Sequence, residues 1–209
     1  MKKIFLITLF ALIISVQNLC SAATIEQAYF NGDERLIYPI VYVGDTTIDQ
    51  KINNVIATEI DSFVTNVYGR LYDDELRFIN TSYTIACNEA GNTVILSVIL
   101  GESYCYMRAA HPAYYSCALN FNVKTGELMD TGYLTDIGAG NPQFSLENVT
   151  NQLKAYAESK KISLFHDALP LKELPKNFYW DENLRVHLIF NNYEVAPYAY
   201  GIIDLVIAK

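Results

Sequence analysis

Beyond Val16 this 209-residue chain has no long apolar run, so it offers no second stretch of the roughly 20 apolar residues that a membrane-spanning helix needs. Its four cysteines never fall in a Cys-x-x-Cys pair, the spacing that makes structural zinc recognisable. The His-Glu-x-x-His helix, the Gly-x-Ser-x-Gly elbow, the phosphate loop and the dinucleotide fingerprint are all missing, and with them the usual signatures of zinc peptidases, α/β-hydrolases and nucleotide enzymes. Internal repeats and low-complexity tracts are missing too. Basic residues are few: 15 Lys and Arg stand against 23 Asp and Glu, for a formal charge of −8. A chain with so little positive charge cannot neutralise a run of phosphates, which argues against nucleic acid or an anionic lipid surface as partner. A cationic protein, or a neutral glycan met by aromatic rings, suits it better.

What is present begins with an export leader. Lys2 and Lys3 precede the apolar run Ile4 to Val16, and a polar neck ends in Cys20-Ser21-Ala22-Ala23, small residues where a signal peptidase cuts. The expectation is a leader over residues 1–22, cleaved after Ala22 or Ala23, followed by a single extracytoplasmic domain over 24–209 with halves near 24–124 and 125–209. Its location is then periplasmic or secreted. Cleavage removes two lysines and no acid, which leaves the mature chain still more acidic than −8. Cys87, Cys105 and Cys117 remain, an odd number that allows one bridge and one spare thiol. Cys105 and Cys117 flank a tight reversal and both fall on the apolar side of their strands, so a Cys105–Cys117 disulfide is one expectation; three buried thiols acting as small hydrophobes is the other.

The pattern of elements points to an α+β fold. Residues 24–30 and 35–43 read as strands, Pro39 pushing the second toward a sheet edge. The spacing of Ile48, Ile52, Val55, Ile56, Ile60, Phe63, Val64 and Val67 predicts a long helix over 46–68, with Thr46 and Asp49 as a capping box and Gly69 as its stop. A meander follows. Residues 78–88 rise into a turn at Glu89–Asn92, residues 93–107 return with a bulge expected at Gly101, and 113–123 alternate in the manner of a half-solvated antiparallel strand. Residues 128–140 read as irregular, a second helix is expected from Asn141-Pro142 to about Lys160, and 178–180 with 184–190 form a hairpin before the last strand. The expected architecture is thus an antiparallel meander packed by one long and one shorter helix, closed by a C-terminal hairpin and a final strand.

Between the last two strands lies a loop rich in tyrosine: Tyr193, Glu194, Pro197, Tyr198 and Tyr200. Phenol rings give large, stiff contact area at low entropic cost, which suits recognition better than proton transfer. A second aromatic crowd, Tyr104, Tyr106, Tyr114 and Tyr115, surrounds the reversal that holds His111. His111 between two cysteine-bearing strands has the makings of a base for a thiol, although a turn histidine held by hydrogen bonds is the plainer reading. Glu194 is expected to orient its loop by accepting backbone hydrogen bonds. His166 and His187 carry no motif and read as structural or surface residues.

Two segments resemble a known family. Ala109-Ala110-His111-Pro112 followed by Asn120-Phe121-Asn122-Val123-Lys124-Thr125-Gly126 resembles its AAHP and NFDLKTG pattern, and Tyr193-Glu194-Val195-Ala196-Pro197-Tyr198-Ala199-Tyr200-Gly201 resembles its closing YEIAPYAAG signature. The family is a bacterial extracytoplasmic domain of unknown function, shared by the lysozyme-binding ectodomain of RsiV-type anti-sigma factors and the non-catalytic region of PdaC-type peptidoglycan deacetylases. The likeness runs from about Tyr38 to Ile207 and implies a strand-helix-meander first half and a helix-plus-hairpin second half. No anti-sigma segment, membrane span or deacetylase domain accompanies it in this sequence.

These readings converge on a non-enzymatic recognition module of the cell envelope, without metal or cofactor, that binds a lysozyme-like cationic protein or peptidoglycan. The ligand-binding residues are expected to be His111, Tyr114, Tyr115, Tyr193, Glu194, Pro197, Tyr198 and Tyr200. The alternative is a wall-active, carbohydrate-processing hydrolase using Glu102, Glu194 or His111.

Overall fold

The structure, a computed structural model, describes residues 22–69, 75–88, 94–137 and 142–207. Residues 1–21 of the expected leader and the turn at 89–92 lie outside the described residues. The fold is α+β: the described residues form antiparallel strands in one two-stranded and two three-stranded sheets, and three α-helices. Among the described residues no helix is long and apolar enough to cross a membrane.

β1 (Thr24–Tyr29) and β2 (Ile37–Tyr42) pair antiparallel around a tight turn in which Asn31 and Gly32 take positive φ. The long helix α1 (Thr46–Tyr68) has the expected limits. Its cap differs: Asp45 is the N-cap and accepts from the Thr47 and Ile48 N–H groups, while Asp49 turns back to accept from Val43. An aspartate just before the first turn serves orphan donors and the helix dipole together, which explains its advantage over Thr46. Of the apolar stripe, Ile52, Ile56, Ile60, Phe63 and Val67 are buried, and Ile48, Val55 and Val64 pack partly buried beside them. Each fully buried aliphatic side chain stabilises by about 1.5–3 kcal/mol, so this stripe fixes the helix on the sheet.

That sheet is the meander β3 (Leu76–Asn88), β4 (Ile95–Tyr106) and β5 (Ala113–Asn122). The register of β4 with β5 runs unbroken from Ile95↔Asn122 to Tyr104↔Ala113. The expected bulge at Gly101 is therefore absent, and the register shifts sit on β3, between Leu76 and Phe78 and between Ile85 and Cys87. A Cβ at Gly101 would meet the Ser82 hydroxyl, which would have to rotate away to admit it. Directly opposed residues of an antiparallel pair share a face. Leu96, Val98, Leu100, Leu119 and Phe121 accordingly build the core under α1.

The other half begins with a helix that the sequence reading missed, α2 (Thr131–Ile137), which replaces part of the irregular 128–140 stretch. The next helix, α3 (Leu146–Lys160), starts later than Asn141-Pro142: Pro142–Phe144 is a single 3-10 turn, and Ser145 is the cap, accepting from Asn148 N–H. β6 (Phe178–Trp180), β7 (Val186–Phe190) and β8 (Ile203–Val206) form the last sheet in that order. A second core gathers Val149, Leu153, Phe178, Trp180, Leu188, Val195 and Ile203, together with Cys87 from β3. The two halves are joined by a buried polar chain. Ser97 on β4 donates to Asn120 Oδ1 (2.7 Å), Asn120 donates to the Phe178 carbonyl (2.6 Å), and Trp180 N–H donates to Ser97 Oγ (3.1 Å).

Cys105 and Cys117 do not form the expected bridge; among the described residues Cys87, Cys105 and Cys117 all lie outside any disulfide. Cys117 lies opposite Leu100, five residues along β4 from Cys105, which is roughly 16 Å of strand at about 3.3 Å per residue. The odd offset also sends the two side chains to opposite faces, and a disulfide tolerates no more than about 7 Å between Cα atoms.

Candidate functional site

The two motif segments meet. His111, in the turn between β4 and β5, stacks on Tyr198 with ring centroids 3.8 Å apart and planes at 22°. Its Nε2 lies 3.0 Å from the hydroxyl of Tyr193, which is 82 positions away in sequence. Its Nδ1 lies 2.9 Å from the Pro112 carbonyl. A carbonyl oxygen only accepts, so Nδ1 carries the proton, and in the neutral ring Nε2 accepts from Tyr193. Tyr193 and Tyr198 are 5.9 Å apart, which makes a three-ring platform. Both nitrogens of His111 are engaged, and the Cys105 thiol donates to the Tyr106 carbonyl instead. No histidine–thiol pair forms here.

The loop that presents these rings is held from beneath. Val195 and Ala196 are buried in the second core, and Phe165 N–H donates to the Val195 carbonyl. Asn191 lays its carboxamide along the outer edge of β5, accepting from Ser116 N–H and donating to Ser116 O. Asn177 does the same one step on, accepting from Ala118 N–H and donating to Ser116 O, and Asn192 donates to the Tyr114 carbonyl. Glu194 accepts from Asn191 N–H at 3.0 Å, the orienting role expected of it. The anchoring holds Tyr193 at φ 69°, a left-handed conformation that a bulky residue rarely takes, with 56 % of its surface exposed. Backbone strain of this kind costs about 1–3 kcal/mol and persists only where the surroundings impose it. Burial, then the nearby Tyr114, Tyr193 and Cys105, raises the Tyr198 phenol above its ordinary range.

The remaining expected residues divide. Tyr114 is exposed and lies near Tyr198, on the platform side. Pro197 begins the 3-10 turn Tyr198–Tyr200 and sets its backbone. Tyr200 points elsewhere, to Ser163, whose hydroxyl and N–H lower its phenol. Tyr115 does not join the platform: it pairs with Glu102 and so lies on the α1 face, stacked on Tyr104 at 6.4 Å. Glu102 lies on that face too, remote from Glu194 and His111, so the three groups named for a hydrolase do not share one cleft.

One cluster carried no signal in the sequence. His187 is buried, with Asp204 at 2.8 Å from Nδ1, Asp181 at 3.4 Å from Nε2, and Tyr179 stacked on its ring. Tyr179 donates to the other Asp204 oxygen, and Arg185 caps Asp181. Burial alone would raise the Asp181 carboxyl, but hydrogen bonds from Arg185, His187 and Asn183 N–H outweigh it and hold it far below the carboxylate range. Burial and Asp204 push the Tyr179 phenol far above its own. Tyr179, His187 and Asp204 come from β6, β7 and β8, and Asp181 and Arg185 from the turn between β6 and β7, so the cluster ties that sheet together, a structural role.

The site is thus a platform of stacked aromatic rings on an α+β scaffold. A family model described as a protein of unknown function (DUF3298) matches residues 135–209, which include the tyrosine loop but not His111. A DUF3298 family protein from Pseudomonas aeruginosa PAO1 is similar in structure, with a TM-score of 0.54 at 14 % identity and 90 % of each chain covered. A DUF3298 family member from Bacteroides fragilis NCTC 9343 is similar as well, with a TM-score of 0.51 at 17 % identity, over 90 % of this chain and 88 % of the other. At such identities the likeness is one of fold. No curated protein matches the chain.

Proposed function

We propose that this is a non-enzymatic recognition module of the cell envelope, and that the His111–Tyr193–Tyr198 platform docks a cationic, lysozyme-like protein. The observation that carries the reading is Tyr193: exposed, held at positive φ and hydrogen-bonded to His111. Rigid, partly exposed aromatics of this kind are what binding hot spots are made of. The charge of −8 supports a basic partner, since complementary fields speed and orient encounter. The resemblance to RsiV-type ectodomains supports lysozyme in particular. Flat stacked rings also suit a sugar face, which keeps peptidoglycan as the second reading.

Calorimetric titration of the mature protein with lysozyme and with soluble muropeptides, at low and high salt, tests the proposal. Lysozyme should bind, with affinity falling as salt rises, and Tyr193→Ala or Tyr198→Ala should weaken it by about 30-fold or more, the 2 kcal/mol of a hot spot. Salt-insensitive muropeptide binding would transfer the site to the glycan. Muropeptide cleavage that stops in Glu194→Ala while binding survives would replace recognition with catalysis.

A further inference from the structure

On the opposite face of the same hairpin end, α1 and the sheet leave a groove of about 320 Å³ lined by Glu59, Phe63, Asn66, Glu102, Tyr104 and Tyr115. We propose that this groove binds an organic cation, specifically the guanidinium of an arginine side chain, between the carboxylates of Glu59 and Glu102 and against the Tyr104–Tyr115 wall. It rests on the recognition reading only for the cation's source, an arginine of the docked protein.

Three observations carry it. Glu102 is 9 % exposed, and its Oε1 has no hydrogen-bond partner among the described residues. A buried carboxyl oxygen without a donor is unfavourable, and an N–H donor entering the groove removes that cost. Among the described residues no Lys or Arg lines the groove beside its two acids. The wall is aromatic: Tyr104 and Tyr115 are near parallel at 20°, and Phe63 lies 6.2 Å from Tyr104. A planar guanidinium stacks on such faces and grips a carboxylate with two N–H bonds at once, which a compact ammonium cannot do.

The groups facing Glu102 are Glu59 from α1, Tyr104 from β4, Cys117 and Tyr115 from β5, and the uncharged Thr81 opposite it on β3. Burial first, and then the charge of Glu59, push Glu102 up to about 8. Burial and the same two acids, with a hydrogen bond to Glu59, push the Cys117 thiol far above the ordinary range. Without ligand, Glu102 therefore keeps its proton at neutral pH. A guanidinium bound between two carboxylates must displace it.

The experiment titrates the full mature chain with N-acetyl-arginine amide, followed by NMR chemical shifts, with the citrulline analogue as the uncharged isostere. The arginine compound should saturate and the citrulline compound should not. Affinity at pH 9 should exceed that at pH 6 by roughly 100-fold, because a proton competing at a site near pH 8 weakens binding about tenfold per pH unit below it. Glu102→Gln, which keeps shape and fold, should weaken binding at pH 9 at least tenfold and flatten the pH profile, while Tyr193→Ala leaves the titration unchanged. Equal binding of citrulline, a flat pH profile in the wild type, or an unaffected Glu102→Gln variant overturns the proposal. Lysozyme binding without arginine-amide binding refutes the groove alone; arginine-amide binding without lysozyme binding refutes the platform reading alone.

Discussion

Replacing Asn120 by alanine should loosen the joint between the two halves of the fold. The Asn120 side chain is 1 % exposed, accepts from Ser97 and donates to Phe178 O. Its removal leaves a buried carbonyl without a donor and a buried hydroxyl without its acceptor. At about 1–3 kcal/mol for each orphaned group, the cost is about 2–6 kcal/mol, with about 3 as the central expectation. That is a factor of about 150 in the folding equilibrium, and a large share of the 5–15 kcal/mol that typical domains possess. Trp180 is the only tryptophan, sits at the β6 end of this chain of bonds and is buried in the second core, so its fluorescence reports that half directly. Urea unfolding followed by Trp180 emission and by far-UV circular dichroism should show both midpoints falling in Asn120→Ala, the Trp180 midpoint further. Ser97→Ala should add less to Asn120→Ala than it costs alone, since the two share one bond. A loss below about 0.5 kcal/mol, the range of an ordinary surface substitution, together with additive single costs, would refute the account of the joint.

Glu102→Gln should raise thermal stability at neutral pH. An acid whose folded pKa of about 8 stands above its ordinary 4.5 subtracts stability progressively as pH rises between those values and no further beyond them, so the melting-temperature gain should grow from pH 5 to 8 and then level; a pH-independent gain contradicts the burial argument. Asp181 has the opposite sign. Its folded pKa is depressed, so its contribution is present above the unfolded value of about 4 and lost as pH falls further; Asp181→Asn should be destabilising at pH 7 and progressively less so below pH 4 in thermal melts. The native protein should run identically with and without reductant, and Cys117 should resist alkylation until the chain is unfolded, because burial and two acids suppress its thiolate; a mass loss of two hydrogens in the unreduced protein would refute the free thiols. Asp45→Ala should cost about 1 kcal/mol in denaturant unfolding, the usual loss on removing an aspartate N-cap, against no loss from Thr46→Ala if the observed cap is correct.

Much of the scaffold was legible because burial imposes a period. The α1 stripe and the alternation along β4 and β5 fixed those elements to within a few residues. The misses lie where period says nothing. α2 is seven residues long, contains Gly132 and has too few turns to show a stripe. The Cys105–Cys117 pairing failed on register, because two positions can look equally apolar on neighbouring strands and still point to opposite faces. The same parity separates Tyr114 from Tyr115, adjacent in sequence and on different surfaces. For the site, the sequence showed which rings were available but not that a turn histidine and a loop 82 positions later would stack, since that contact depends on how two sheets dock. The Asp181–His187–Asp204 cluster was invisible for the same reason: its members come from two strands and a hairpin turn and share no motif.

The carboxamides of Asn177 and Asn191 have a further consequence. An amide side chain sets an N–H donor and a carbonyl acceptor in nearly the spacing of a peptide group, so along Ser116 and Ala118 these two residues imitate a missing fourth strand. The exposed rim of a sheet is where one chain can pair with another and zip into polymers. Here that rim is already occupied by the molecule's own side chains, and the segment that shields it from self-association is the one that holds the tyrosines out toward solvent.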